Sequence, residues 1–104
     1  MIESLKKMLG LGPRVDYGLL VKQGAVILDV RTSAEYRGGH ISRSINISVD
    51  QLKNNLNRFP DKQKPIITCC ASGMRSASAK NIMEAKGYKN VYNGGNWVAL
   101  QNKI

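Results

Sequence analysis

Cys70 and Arg75 are the two side chains whose types and spacing point most directly to a reaction. They stand in the run Ile66-Ile67-Thr68-Cys69-Cys70-Ala71-Ser72-Gly73-Met74-Arg75-Ser76. This run reads as a buried strand that enters a cysteine, then a loop of small residues, then an arginine at a helix start. A cysteine just before a helix N-terminus faces backbone N–H groups that have no intrahelical partner. Those donors and the positive end of the helix dipole favour a thiolate and lower its pKa. Cys70 is therefore the expected nucleophile. Ala71, Ser72, Gly73, Met74, Arg75 and Ser76 are the expected binding loop. Arg75 brings a full charge and a fork suited to an oxyanion, at a helix end where a cation is otherwise mildly unfavourable. Ser72 and Ser76 either hydrogen-bond the sulfur or cap the helix.

Cys69 alternates with Cys70 on the same strand, so it should point to the opposite face and into the core. A resolving thiol is the lesser reading. Asp29 and Arg31 read as an ion pair or hydrogen-bond hub that supports the loop, ahead of an acid role for Asp29. Glu35 and Trp97 read as structural. Two adjacent cysteines build no disulfide framework. With one histidine, they also lack the spacing of a zinc site, so no metal is expected.

Other classes are excluded by composition. The chain has 104 residues, enough for one domain. Apolar residues form 42% and charged residues 22%, the balance of a globular protein. No apolar run reaches membrane-spanning length, and the first 13 residues lack a secretory pattern. The expected location is the cytoplasm, with no membrane partner. The net charge of +9, from 16 Lys and Arg against 7 Asp and Glu, suits a small anion or an acidic protein partner. The basic residues are spread along the chain and match no nucleic-acid module, so no nucleic-acid partner is expected.

The positioning elements alternate. Residues 1–13 read as a peripheral amphipathic helix or a frayed end, with Ile2, Leu5, Met8 and Leu9 on one face. Asp16 caps a helix over 17–23 with Leu19 and Leu20 inward. Residues 25–30 form a buried strand. Thr32 or Ser33 caps a short helix ended by Gly38 and Gly39. Residues 45–47 form a strand. Ser48 with Gln51 is a capping-box pattern that opens a helix to about Phe59, with Leu52 and Leu56 inward. Residues 65–69 are the strand before the loop. A longer helix starts at Arg75 or Ser76, carries Ala77, Ala79, Ile82, Met83 and Ala85, and stops at Gly87. Residues 90–92 form a strand, Gly94 and Gly95 a turn, and Asn96 caps a last helical turn with Trp97 and Leu100. This alternation is the pattern of an α/β domain with a mainly parallel sheet. Ligands of such sheets bind at strand carboxyl ends, where Asp29 and Cys70 both fall.

Two stretches resemble the rhodanese-type sulfurtransferases. One is Leu28-Asp29-Val30-Arg31, continuing through Glu35-Tyr36 and Gly39-His40-Ile41 to Asn46-Ile47. The other is Cys70-Ala71-Ser72-Gly73-Met74-Arg75-Ser76 with the helix after it. Gly94-Gly95 with Trp97 is a weaker echo. The resemblance covers nearly all of the chain from Tyr17 onwards. It implies a three-layer α/β domain with a mainly parallel, five-stranded central sheet flanked by helices. It also implies a persulfide carried on Cys70, and it puts His40 in a structural turn rather than beside the thiol. One departure stands at Arg43-Ser44, where the family often has Gly followed by Ala.

The implied activity is thiosulfate or persulfide sulfur transfer, with thiosulfate as donor and a thiol, cyanide or an acidic protein as acceptor. The covalent Cys70 persulfide takes the place of a cofactor. Phosphatases of the same fold hold a loop one residue longer than the six residues from Cys70 to Arg75. A phosphatase or arsenate reductase is thus the second reading, and a non-catalytic partner module the third.

Overall fold

The computed structural model describes residues 14–104. The expected N-terminal helix over 1–13 lies outside the described residues. In chain order the elements are α1 (Tyr17–Lys22), β1 (Val26–Asp29), α2 (Ser33–Arg37), β2 (Ile45–Asn46), α3 (Val49–Leu52), a 3-10 turn (Leu56–Arg58), β3 (Ile66–Cys70), α4 (Met74–Ala85), β4 (Val91–Asn96) and α5 (Trp97–Gln101). Every strand pairing is parallel, in the order β2-β1-β3-β4. The sheet therefore has four strands among the described residues, not five. The stretches with strand character in the sequence are these four, and the fifth came only from the resemblance.

Strand alternation sorts the core into two layers. Leu28, Val30, Ile66 and Cys70 face one side, with Leu52, Phe59, Met83 and Val91 packed around them. Ile27, Ile67 and Cys69 face the other side, against Ile41 and Leu100, with Leu20 and Trp97 packed on. Leu19 is 50% exposed, contrary to the inward position expected of it. In a helix this short, Tyr17, Leu20 and Val21 form the i, i+3, i+4 face, and Leu19 falls off it.

The helix after Ser48 is shorter than the capping-box pattern suggests. Ser48 makes no side-chain cap bond, and α3 stops at Leu52. Asn55 turns its amide back onto the Gln51 carbonyl at 2.8 Å, which ends the helix with a side-chain partner. The long helix starts one residue early, at Met74, with Gly73 as its left-handed N-cap.

Past Tyr92 the expected turn is instead more strand. β4 continues through Gly94 and Gly95 to Asn96. A Cβ on Gly94 would stand 2.8 Å from Ile67 Cγ2 and 2.9 Å from both Leu100 Cδ2 and the Thr68 carbonyl, so the strand can approach this closely only without a side chain. The register against β3 shifts here: Thr68 pairs with Asn93, yet Cys70 pairs with Asn96. One extra residue on β4 makes this a bulge, and Gly95 takes φ +77° within it.

Candidate active site

Cys70 ends β3 and is fully buried. The chain then turns through Ala71 and Ser72, and Gly73 reverses it with φ +95°. That left-handed residue aims its own N–H at the Cys70 sulfur, 2.9 Å away. The Ser76 N–H also points at the sulfur, at 3.3 Å, and the Ser76 hydroxyl oxygen lies 3.4 Å off. Burial pushes the Cys70 thiol up, but the Ser76 hydroxyl and the N–H groups of Ser76, Gly73 and Ser72 oppose it, and the result lies below the ordinary thiol value. The loop is a nest of donors around one sulfur.

The two serines divide. Ser76 is buried against the sulfur, whereas Ser72 is exposed and accepts the Met74 N–H at 3.4 Å. Met74 stands 77% exposed on the loop rim. Arg75 does not point into open space. Its two terminal nitrogens donate to Glu35 at 2.7 and 3.0 Å, a two-handed pair between α4 and α2. Glu35 also completes the α2 capping box with Thr32. The Arg75 pairing, then Thr32, holds its carboxyl down at about 2.

Asp29 and Arg31 form a buried pair, with the closest contact 2.7 Å. Arg31 further donates to the Gly39 carbonyl at 2.8 Å and lies 4.7 Å above the Trp97 ring. The pair thus ties β1 to the turn after α2 and to α5. Asn46 closes the knot from β2, donating to the carbonyls of Asp29 and Arg31 at 3.0 Å each. His40 is occupied elsewhere: it stacks on Tyr36 at 3.7 Å, and its Nδ1 lies 2.7 Å from the Tyr36 carbonyl.

Three residues of the site's support were not singled out from sequence. Thr68 donates to the Ser76 carbonyl at 2.9 Å, beneath the loop. Asn96 donates to the Ala71 carbonyl at 2.6 Å. Asn93 accepts from Ser76 at 2.6 Å and from the Gly95 N–H at 3.0 Å, and donates to the Gly73 carbonyl at 3.3 Å. Their signal in the sequence is polarity at Thr68, inside an apolar strand, and at Asn93, beside a glycine pair; Asn96 is legible only as the helix cap, which it also forms by accepting the Ala99 N–H at 2.9 Å. No group of three or more potential metal ligands occurs among the described residues. No helix among them is long and apolar enough to cross a membrane.

This geometry defines a small parallel α/β domain with a cysteine loop at the carboxyl edge of its sheet. The model of the rhodanese-like domain matches residues 4–99, and the chain belongs to that family. Among known relatives it is 34% identical over 76 residues to the uncharacterised protein YibN of Escherichia coli K12, spanning 71% of this chain but 53% of that one. It is 33% identical over 69 residues to the thiosulfate sulfurtransferase PspE of Escherichia coli K12, covering 65% of this chain and 66% of PspE. Thus the chain spans about half the length of YibN, and it covers 30% of a tRNA uridine(34) hydroxylase from Pelagibacter ubique that it also resembles. Among solved structures, an Escherichia coli rhodanese with anions superposes with TM-score 0.69 at 30% identity, over 73% of this chain and 91% of that one.

Proposed function

We propose that this chain moves a sulfane sulfur through a persulfide on Cys70. The observation that carries this reading is the Cys70 sulfur itself, buried at a strand end and met by the N–H groups of Gly73 and Ser76. Such a nest stabilises a thiolate, and equally the terminal anionic sulfur of a persulfide. With thiosulfate as donor, the Cys70 thiolate attacks the outer sulfur. A new S–S bond forms, the old one breaks, and its electron pair leaves on sulfite. Cyanide or a thiolate then attacks the outer sulfur of the persulfide, taking it as thiocyanate or a new persulfide and returning the Cys70 thiolate. This is covalent, two-stage catalysis, and it draws on no metal or organic cofactor. In the cell, the acceptor we propose is a thiol, with the basic surface favouring an acidic carrier, and the setting a reducing cytoplasm that keeps both cysteines free.

The test is incubation with thiosulfate and cyanide, reading thiocyanate, with intact mass read for one added sulfur atom. Both signals are expected, and both should vanish in Cys70→Ser. Absence of added sulfur on the wild type with every donor tried would overturn the reading. Phosphate chemistry on the same loop is less well supported. The loop is six residues long, and the arginine that would hold a phosphate is already held by Glu35.

A further inference from the structure

The single proton of the Ser76 hydroxyl has three neighbours that could take it: Asn93 Oδ1 at 2.6 Å, the Gly73 carbonyl at 3.0 Å and the Cys70 sulfur at 3.4 Å. The Asn93 amide has only one sensible orientation. A backbone N–H, that of Gly95, must meet its oxygen, and a backbone carbonyl, that of Gly73, must meet its nitrogen. Asn93 Oδ1 can only accept, so the proton in the 2.6 Å contact belongs to Ser76. The Ser76 oxygen is then left facing the sulfur as an acceptor. This arrangement suits a protonated thiol: Cys70 S–H donates to Ser76, and Ser76 donates to Asn93. A thiolate or a persulfide anion needs the reverse, with the Ser76 proton turned toward sulfur, and only in that orientation does the Ser76 hydroxyl help hold the Cys70 thiol down.

We propose that Asn93 is a positioning residue that sets the charge state of the Cys70 sulfur by competing with it for the Ser76 proton. The proposal rests on Cys70 being the reactive thiol, but not on its donor or acceptor. The other groups electrostatically coupled to this sulfur are Arg75 of α4, which is paired with Glu35 of α2, and the neighbouring Cys69 thiol on β3. Beyond them stands the pair between Asp29 at the end of β1 and Arg31 just after it. None of these touches Ser76 in the hydrogen bonds of the site; Asn93 also holds the Gly73 carbonyl, and the Ser76→Ala background separates that contact from the competition for the proton.

The experiment is the pH profile of Cys70 alkylation by iodoacetamide. Replacing Asn93 by Ala frees the Ser76 proton for the sulfur, since a charged acceptor outcompetes the neutral Gly73 carbonyl. The alkylation rate below the midpoint is expected to rise about 3- to 10-fold, the net worth of one ordinary intramolecular hydrogen bond, and the profile to move to lower pH. In a Ser76→Ala background the same replacement should change the rate less than about twofold. A slower Asn93→Ala protein, or an equal change in both backgrounds, would overturn the proposal. Should Asn93→Ala not fold, Asn93→Asp keeps both acceptor contacts and holds the proton harder. Its added charge raises the profile with or without Ser76, so the shift must be larger with Ser76 present than in Ser76→Ala, and equal shifts defeat the idea. Alkylation does not require sulfur transfer, so failure to accept thiosulfate leaves this result standing, and the reverse holds as well.

Discussion

Cys69 and Cys70 are neighbours on one strand, both buried and chemically identical, yet they sit in opposite environments. Cys69 faces the layer of Ile27, Ile41, Ile67 and Leu100. Burial, and then the nearby Asp29 charge, push its thiol up to about 12. Cys70 faces the other layer at the strand end, where the returning loop offers N–H donors, and its thiol falls below the ordinary value. Burial opposes ionisation at both positions. What separates them is that the chain supplies hydrogen bonds to the charged form only at Cys70, while deeper burial and the Asp29 charge weigh on Cys69, and a shift of one residue along a strand decides this.

The comparison can be broken by exchanging the roles of the two thiols. Cys70→Ser should lose at least about 10³-fold in thiocyanate formation, the scale of losing a covalent nucleophile, whereas Cys69→Ala keeps most of it. The opposite pattern would place the chemistry on Cys69. Selective alkylation sharpens the same contrast. Between an ordinary thiol at 9.0 and Cys69 at about 12 lie three pH units. Near neutral pH the Cys70 thiolate fraction should therefore exceed that of Cys69 by about 10³-fold or more. Peptide mapping after iodoacetamide should find one adduct, on Cys70, at a rate that climbs with pH until its lowered midpoint is passed. The Cys69 shift also has a stability sign. An unfolded thiol ionises near 9.0 and this folded one near 12, so the fold loses stability as pH rises through that interval. Urea midpoints should fall less over that range in Cys69→Ala.

Two smaller effects test the loop and its surroundings. Gly73→Ala meets no clash, since its Cβ would stand 3.5 Å from Gly95 Cα, but φ +95° costs a non-glycine residue about 1–2 kcal/mol. If the backbone relaxes to avoid that cost, the N–H leaves the sulfur, and about a tenfold loss of alkylation rate is expected. An unchanged rate would remove the Gly73 N–H from the account of Cys70. The smallest effect concerns Arg43, the one non-glycine residue with positive φ among the described residues, at 68°. It keeps a glycine-like backbone where the family often has Gly. Arg43→Gly should raise stability by about 0.5–1 kcal/mol in urea melts, while both cysteines keep their reactivities.

Much of this was legible in the sequence because it is local or periodic. The alternation of Ile66 to Cys70 puts the two thiols on opposite faces, and the small-residue loop before a helical stretch puts donors around one of them. The Glu35–Arg75 pair was not legible, because its partners are 40 positions apart and each has a local reading, Glu35 in a capping box and Arg75 in a helix start. Asn93 escaped for another reason. Two glycines after an apolar strand signal a turn, and only packing against Ile67, Leu100 and Thr68 shows that the strand passes through them. Ser48 and Gln51 matched a capping pattern whose side-chain bond never forms, because local pattern does not fix the geometry of the final turn.

The bulge in β4 makes a final difference, one of parity. Asn93 and Asn96 are an odd number of residues apart, and on a regular strand their side chains would leave opposite faces. Against β3 the interval from Thr68 to Cys70 is even, and the extra residue reconciles the two counts. Both asparagines therefore reach the same loop, one at Ser76 and Gly73, the other at Ala71. Were the residues from Asn93 to Asn96 paired regularly, with no bulge to absorb the extra one, one asparagine would turn away. The cysteine would remain in place, with its loop held from one point instead of two.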